Sequence, residues 1–200
     1  MSGFVVLHME SNGLAPARGG RVFEAALVRV ENGRITQTCH HLMNPGLPLP
    51  PFLTTLTGIT PSMVREAPLS AEAMAELQSF LGDSVLVAHN ASLDRQVWQH
   101  EMELAGLGRI PDFLCTLRLA RRLYPWSDSQ KIPALAQLQG INRLGLHKRA
   151  LDMAQLKAQV FLRMQKDLAL LYPDEAIDAL FLDRYQKTGR ALTRAVPEPS

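Results

Sequence analysis

Two hundred residues, 46% of them hydrophobic, are enough for one domain with a substantial core, and a net charge of +2 permits a nucleic-acid partner without demanding one. Cys39 and Cys115 lie far apart with no close second cysteine, which excludes a zinc knuckle or a Cys-x-x-Cys redox motif and fits buried thiols in a reducing compartment. The N-terminus has no basic leader, Glu10 interrupts the first apolar run, and no run approaches the roughly 20 apolar residues that span a bilayer, so the expectation is a cytoplasmic protein with no membrane partner.

Segments 4–8, 22–30 and 35–43 are rich in Val, Leu, Phe and Thr and predict three strands. Glu31-Asn32-Gly33 makes the second and third a hairpin, so the first three strands form a largely antiparallel sheet. Pro45, Pro48, Pro50 and Pro51 predict an extended surface connection. A short helix is expected over 61–67, and a stronger one is N-capped by Ser70, with Met74, Leu77, Phe80 and Leu81 at helical spacing up to Gly82. Residues 84–88 suit an inner strand. A helix over 91–104 follows, with Leu93, Val97 and Met102 facing inward and Asp94 in its first turn. Pro111 and Pro125 bracket a basic helical segment holding Arg118, Arg121 and Arg122, and a short helix over 131–138 ends at Gly140. From Arg149 a long amphipathic pattern (Leu151, Ala154, Leu156, Ala158, Val160, Phe161, Met164, Leu168) runs to Tyr172-Pro173. Asp174 is expected to cap a last helix, and residues 188–200 to form a loose tail. Strands followed by helices, with one strand-helix unit in the middle, give an α/β domain over 1–172 and a C-terminal helix and tail over 173–200.

His8 and Glu10 stand two apart on the first strand and therefore share one face. Alone, such a pair is either a solvated strand end or a pair of metal ligands on rigid backbone. Asp94 and Asp152 each open a helical pattern, where a carboxylate serves as a cap or as an ionised ligand. His40 and His41 point to opposite faces of a strand and make a poor metal pair.

Taken in order, His8-x-Glu10, His89-Asn90-x-x-Leu93-Asp94 and His147-x-x-x-x-Asp152 resemble the Asp-x-Glu, His-Asn-x-x-Phe-Asp and His-x-x-x-x-Asp motifs of the DEDDh family of 3′–5′ exonucleases, which includes the proofreading epsilon subunit of bacterial DNA polymerase III. Leu56-Thr57-Gly58-Ile59-Thr60 and Cys115-Thr116-Leu117 with Ala120-Arg121 look familial too, so the resemblance covers roughly residues 4–165. Two positions depart from the pattern: His8 replaces the first aspartate, and Leu93 replaces the phenylalanine.

The resemblance implies a ribonuclease-H-like exonuclease fold, a mixed sheet with three antiparallel first strands flanked by helices. It further implies a divalent-metal phosphodiesterase using Mg²⁺ or Mn²⁺, with Glu10, Asp94 and Asp152 as ligands and His147 as general base. Its substrate would be the 3′ end of single-stranded DNA or RNA, met by Asn12, Gly13, Leu14, Thr57, His89 and Asn90, and its partner a DNA polymerase subunit. The bland alternatives are an ordinary turn at Asn12-Gly13 and turn support for His89-Asn90. Arg118, Arg121, Arg122, Arg143, Lys148 and Arg149 form either a phosphate-tracking face or a solvated helix surface. Imidazole cannot bridge two metals as a carboxylate does, and Mg²⁺ disfavours nitrogen, so His8 is expected to weaken catalysis and to be at most a nitrogen ligand for one ion. The rivals are a catalytically silent relative that binds nucleic acid or a polymerase partner, and an unrelated hydrolase using His8 and Glu10 with a softer metal.

Overall fold

The computed structural model describes residues 3–13, 15–108, 110–141, 149–189 and 192–198. Five strands form one sheet in the order β3-β2-β1-β4-β5: β1 Phe4–Ser11, β2 Val22–Glu31, β3 Arg34–Leu42, β4 Val85–Ala88 and β5 Phe113–Cys115. The first three pair antiparallel, as the hairpin signal requires; Asn32 and Gly33 both take positive φ in its turn, the conformation that Asn-Gly supplies cheaply. β4 and β5 then add parallel to β1. β5 is a strand that the sequence pattern did not announce, because three residues between a proline and a basic helix carry too little periodicity to be distinguished from a connection.

The pleat sends alternate residues of the sheet into two cores. Val6, Ala26, Val28, Val30, Val87 and Leu114 pack under the long helix α7 (Ala150–Leu171) with α5 (Thr116–Leu123), α6 (Ile132–Leu138) and α8 (Ala179–Lys187). Val5, Leu7, Ala25, Leu27 and Leu86 pack under α3 (Ser70–Leu81) and α4 (Ala91–Leu104). The even residues of β1 thus face α7, and His8 and Glu10 continue that row beyond Val6.

Several local expectations change. The proline-rich connection ends in a helix, α1 (Pro51–Thr57), since proline is tolerated at a first helical position where its missing N–H has no role; α2 (Pro61–Glu66) follows. Ser70 is the first residue of α3, not its cap, and Leu69 precedes it. Leu93 is 50% exposed; Trp98 and Met102 take the inward positions of α4. Asp178, not Asp174, caps α8, its carboxylate accepting from the Phe181 amide at 2.8 Å. The tail is not loose: the Val196 amide donates to the Leu123 carbonyl at 2.8 Å, and the Trp126 indole donates to the Val196 carbonyl at 2.7 Å. No described helix is long and apolar enough to cross a membrane.

Candidate active site

β1 and β4 run parallel side by side, and the polar ends of both lie at the carboxyl edge of the sheet, where open α/β sheets hold their ligands. β1 delivers His8 and Glu10 there, and β4 runs through His89 and Asn90 into α4, whose first turn carries Asp94. Asn90 makes the corner in the left-handed region, φ 75°, which a short polar side chain tolerates better than most. α7 crosses beneath and carries Asp152 in its first turn, half-buried.

The centre of the site is a lysine. Lys157 lies on the sheet-facing stripe of α7 with Ala150, Ala154 and Phe161 and is 6% exposed. Its Nζ donates to the Leu7 carbonyl at 3.2 Å and to His8 Nδ1 at 2.9 Å. An ammonium can only donate, so Nδ1 accepts; Nε2 then carries the ring proton and donates to Glu10 Oε1 at 2.9 Å. Both imidazole nitrogens are occupied, and neither has a lone pair left for a metal ion in this arrangement. Burial is the first cause that lowers the His8 pKa, the Lys157 charge is the second, and the Glu10 contact only partly opposes them. Lys157 is itself lowered by burial, against the favourable charges of Asp94 and Glu10. Asp94 is raised by burial, and the lysine charge pulls it back.

The other predicted residues divide. His89 is held between the Thr116 hydroxyl, 3.0 Å from Nδ1, and the backbone of Gln130; burial takes its pKa down to about 4. Asn12 closes the loop after β1, Nδ2 donating to the Gly19 carbonyl and Oδ1 accepting from the Arg21 amide. Gly13 turns with φ 76°, and a Cβ there would stand 3.7 Å from the Phe52 ring. The Thr57 hydroxyl donates to the Leu53 carbonyl at 2.6 Å and accepts from the Ile59 amide, so it closes α1 from within. Leu14, His147, Arg143 and Lys148 lie outside the described residues. Arg118 and Arg121 are exposed, whereas Arg122 and Arg149 are tied inward to the Thr188 carbonyl and to Glu24. His40 and His41 meet Glu24 and Glu76 on opposite faces of β3, as their spacing requires. Among the described residues no group of three or more His, Cys, Asp or Glu side chains converges on a metal position.

Three features of the site went unread. Lys157 had a signal, a charged residue in mid-stripe three and four positions from apolar neighbours. Glu24 of β2 receives the Ala150 amide at 2.8 Å and Arg149 Nε at 2.7 Å, tethering the start of α7; an isolated glutamate in a strand signals nothing of this. Phe52, 51% exposed on α1, stands beside Gly13 at the rim.

The family model described as "Exonuclease" matches residues 5–161. The PolC-type DNA polymerase III of Caldanaerobacter subterraneus subsp. tengcongensis is 34% identical over 165 residues, which is 82% of this chain but 12% of that protein. The DNA polymerase III epsilon subunit of Aquifex aeolicus is 32% identical over 170 residues, 84% of this chain and 83% of the subunit. Among solved structures, exonuclease X in complex with 5′ overhanging duplex DNA superposes with a TM-score of 0.66 at 30% identity, covering 82% of this chain and 91% of the other. The fold is the ribonuclease-H-like fold of the DEDDh exonucleases, a family that generally uses divalent metal ions.

Proposed function

Because this chain belongs to the exonuclease family, we propose that it is a 3′–5′ exonuclease domain that engages the 3′ end of single-stranded DNA or RNA, with phosphodiester hydrolysis weakened at His8. The working set in this reading is Glu10, Asp94 and Asp152 with His147 as general base, and the 3′ end lies along Asn12, Gly13, Leu14 and the Phe52 rim, with His89 and Asn90 shaping the corner behind it. The location is cytoplasmic, and the partner a DNA polymerase subunit, as the likeness to an epsilon subunit supports.

The metals such a site would take are Mg²⁺ or Mn²⁺, which select hard oxygen donors. The described residues do not fit a pair of them: an imidazole with both nitrogens occupied stands where a carboxylate is needed, and a buried ammonium faces Glu10 and Asp94. The single observation that carries the attenuation is the Lys157–His8–Glu10 hydrogen-bonded chain. The same chain favours a second reading, a relative that holds nucleic acid without cutting it.

Degradation of 3′-labelled and 5′-labelled single strands in Mg²⁺ and in Mn²⁺, alongside strand binding, tests both. Slow release from the 3′ end that disappears in Asp152→Ala supports a working exonuclease. Strand binding without cleavage supports the second reading, and a chain that neither binds nor cuts overturns both.

A further inference from the structure

We propose that Lys157 is the resident cation of this site: its ammonium takes the place of a divalent ion beside Glu10 and Asp94, and the single-stranded 3′ end is held without added metal. The inference rests on the exonuclease-site reading above and specifies how that site is charged.

The geometry is that of a built charge rather than a stray side chain. Ala150, Ala154 and Ala158 on α7 are fully buried and small, so the helix lies close to the sheet and the lysine stem runs between it and β1. The ammonium meets the Leu7 carbonyl, the last buried residue of β1, and the His8 ring one residue on. Glu10 and Asp94 act on it from two other elements. A lone buried ammonium is costly; one with two acceptors and two carboxylates nearby is compensated.

Relative to the Asp-x-Glu motif, His8 removes a negative charge, and Lys157 brings a positive one to the same pocket, so both act on its charge in the same direction. A dication entering it would meet a fixed like charge and would find the imidazole nitrogens already bonded. A phosphodiester entering it would meet the remaining N–H of the ammonium, a charge-assisted donor of the kind that substitutes for a metal ion in holding a strand end. The two residues therefore belong together, and neither reversal alone opens the site: His8→Asp with Lys157 present would give a carboxylate that pairs with the ammonium.

Calorimetric titration of Mn²⁺ and Mg²⁺ alone into the unmodified chain, His8→Asp, Lys157→Met and the double variant tests this, with thermal unfolding as the check on folding. The expected result is no binding tighter than millimolar in the unmodified chain or in His8→Asp, and Mn²⁺ binding about tenfold or more tighter in the double variant than in either single one. In parallel, fluorescence anisotropy of a 5′-labelled oligonucleotide should give the same affinity in EDTA as in Mg²⁺, about tenfold weaker in Lys157→Met and largely retained in Lys157→Arg. Sub-millimolar Mn²⁺ binding by the unmodified chain, or strand binding that vanishes in EDTA, overturns the proposal, and both measurements use a chain whose folding is not in question. The metal titration contains no nucleic acid, so its outcome is separate from the failure of both nucleic-acid readings above, which would appear as no strand binding by any form.

Discussion

Glu24→Ala should be among the most damaging single substitutions outside the apolar core. The Glu24 side chain is fully buried in β2 and accepts from Arg149 Nε at 2.7 Å, from the Ala150 amide at 2.8 Å and from His40 Nε2 at 2.7 Å. Burial alone would raise its pKa, but the contacts from His40, Arg149 and Ala150 outweigh burial and lower it below the ordinary 4.5. Truncation strands the first amide of α7 in the interior and leaves a guanidinium without its partner. Removing one member of a buried ion pair costs about 3–5 kcal/mol, and Arg149 is 31% exposed, so water recovers part of that and the expected loss is about 3 kcal/mol. For a domain whose total stability is about 5–15 kcal/mol this is a large fraction. Urea unfolding followed by circular dichroism should show a lower midpoint at unchanged slope, and Glu24→Gln, which keeps one acceptor oxygen, should lose about half as much. The pH dependence has a defined sign: because the folded pKa is depressed, the Glu24 contribution is present above pH 4.5 and is lost as pH falls through the lower folded value. A loss below about 1 kcal/mol in Glu24→Ala would refute the claim that this carboxylate anchors the helix bearing Asp152 and Lys157.

Two further outcomes follow from the same contacts. His89 titrates at about 4 when folded and near 6.5 when not, so the native state takes up its proton more weakly; its contribution is complete above pH 6.5 and erodes as pH falls toward 4, and His8 acts in the same direction. Urea midpoints of the unmodified chain should therefore fall between pH 7 and pH 5 by more than those of His89→Gln, with a difference of about 1–2 kcal/mol, and parallel behaviour would argue against the buried imidazole. Truncation after Gly189 removes the Val196 carbonyl from the Trp126 indole and the Arg194 carbonyl from the Tyr185 hydroxyl, so Trp126 emission should shift to the red and stability drop by about 2 kcal/mol; an unchanged spectrum would mean that the tail does not cover that ring.

What could be read in the chain and what could not divide by the range of the interaction. The β2–β3 hairpin, α4 from Ala91 to Leu104 and the long α7 follow from patterns within one segment: a two-residue turn, a helical stripe between turn signals, an apolar face bounded by proline. The first two motif segments and Asp152 could be placed because each carries its polar residues at the end of an element whose direction is set locally. The errors fall where a tertiary contact overrides a local preference. Leu93, at an apolar position of the α4 pattern, stays exposed, and the tail acquires order because α5, the segment after it, α8 and the end of α7 offer it partners.

Lys157 illustrates the harder limit, and its consequence reaches the chemistry. A motif built on carboxylates specifies where negative charge converges but not what neutralises it, because a metal ion leaves no trace in sequence and a lysine on a helix is ordinarily a solvated one. Here the neutralising charge is supplied by the chain five residues after the third-motif aspartate, on the opposite side of β1 from α4, and it is recognisable only once α7 is laid against the sheet. His8 alone can be taken for a weakened ligand; His8 with its Nδ1 bonded to Lys157 and its Nε2 to Glu10 is a spacer between a cation and an anion. That distinction changes what a reversal experiment means. Restoring the aspartate at position 8 would rebuild the family motif while leaving its cation in place, so silence in His8→Asp would reflect the lysine as much as any other defect, and the double variant is the form in which the family's metal chemistry can be sought.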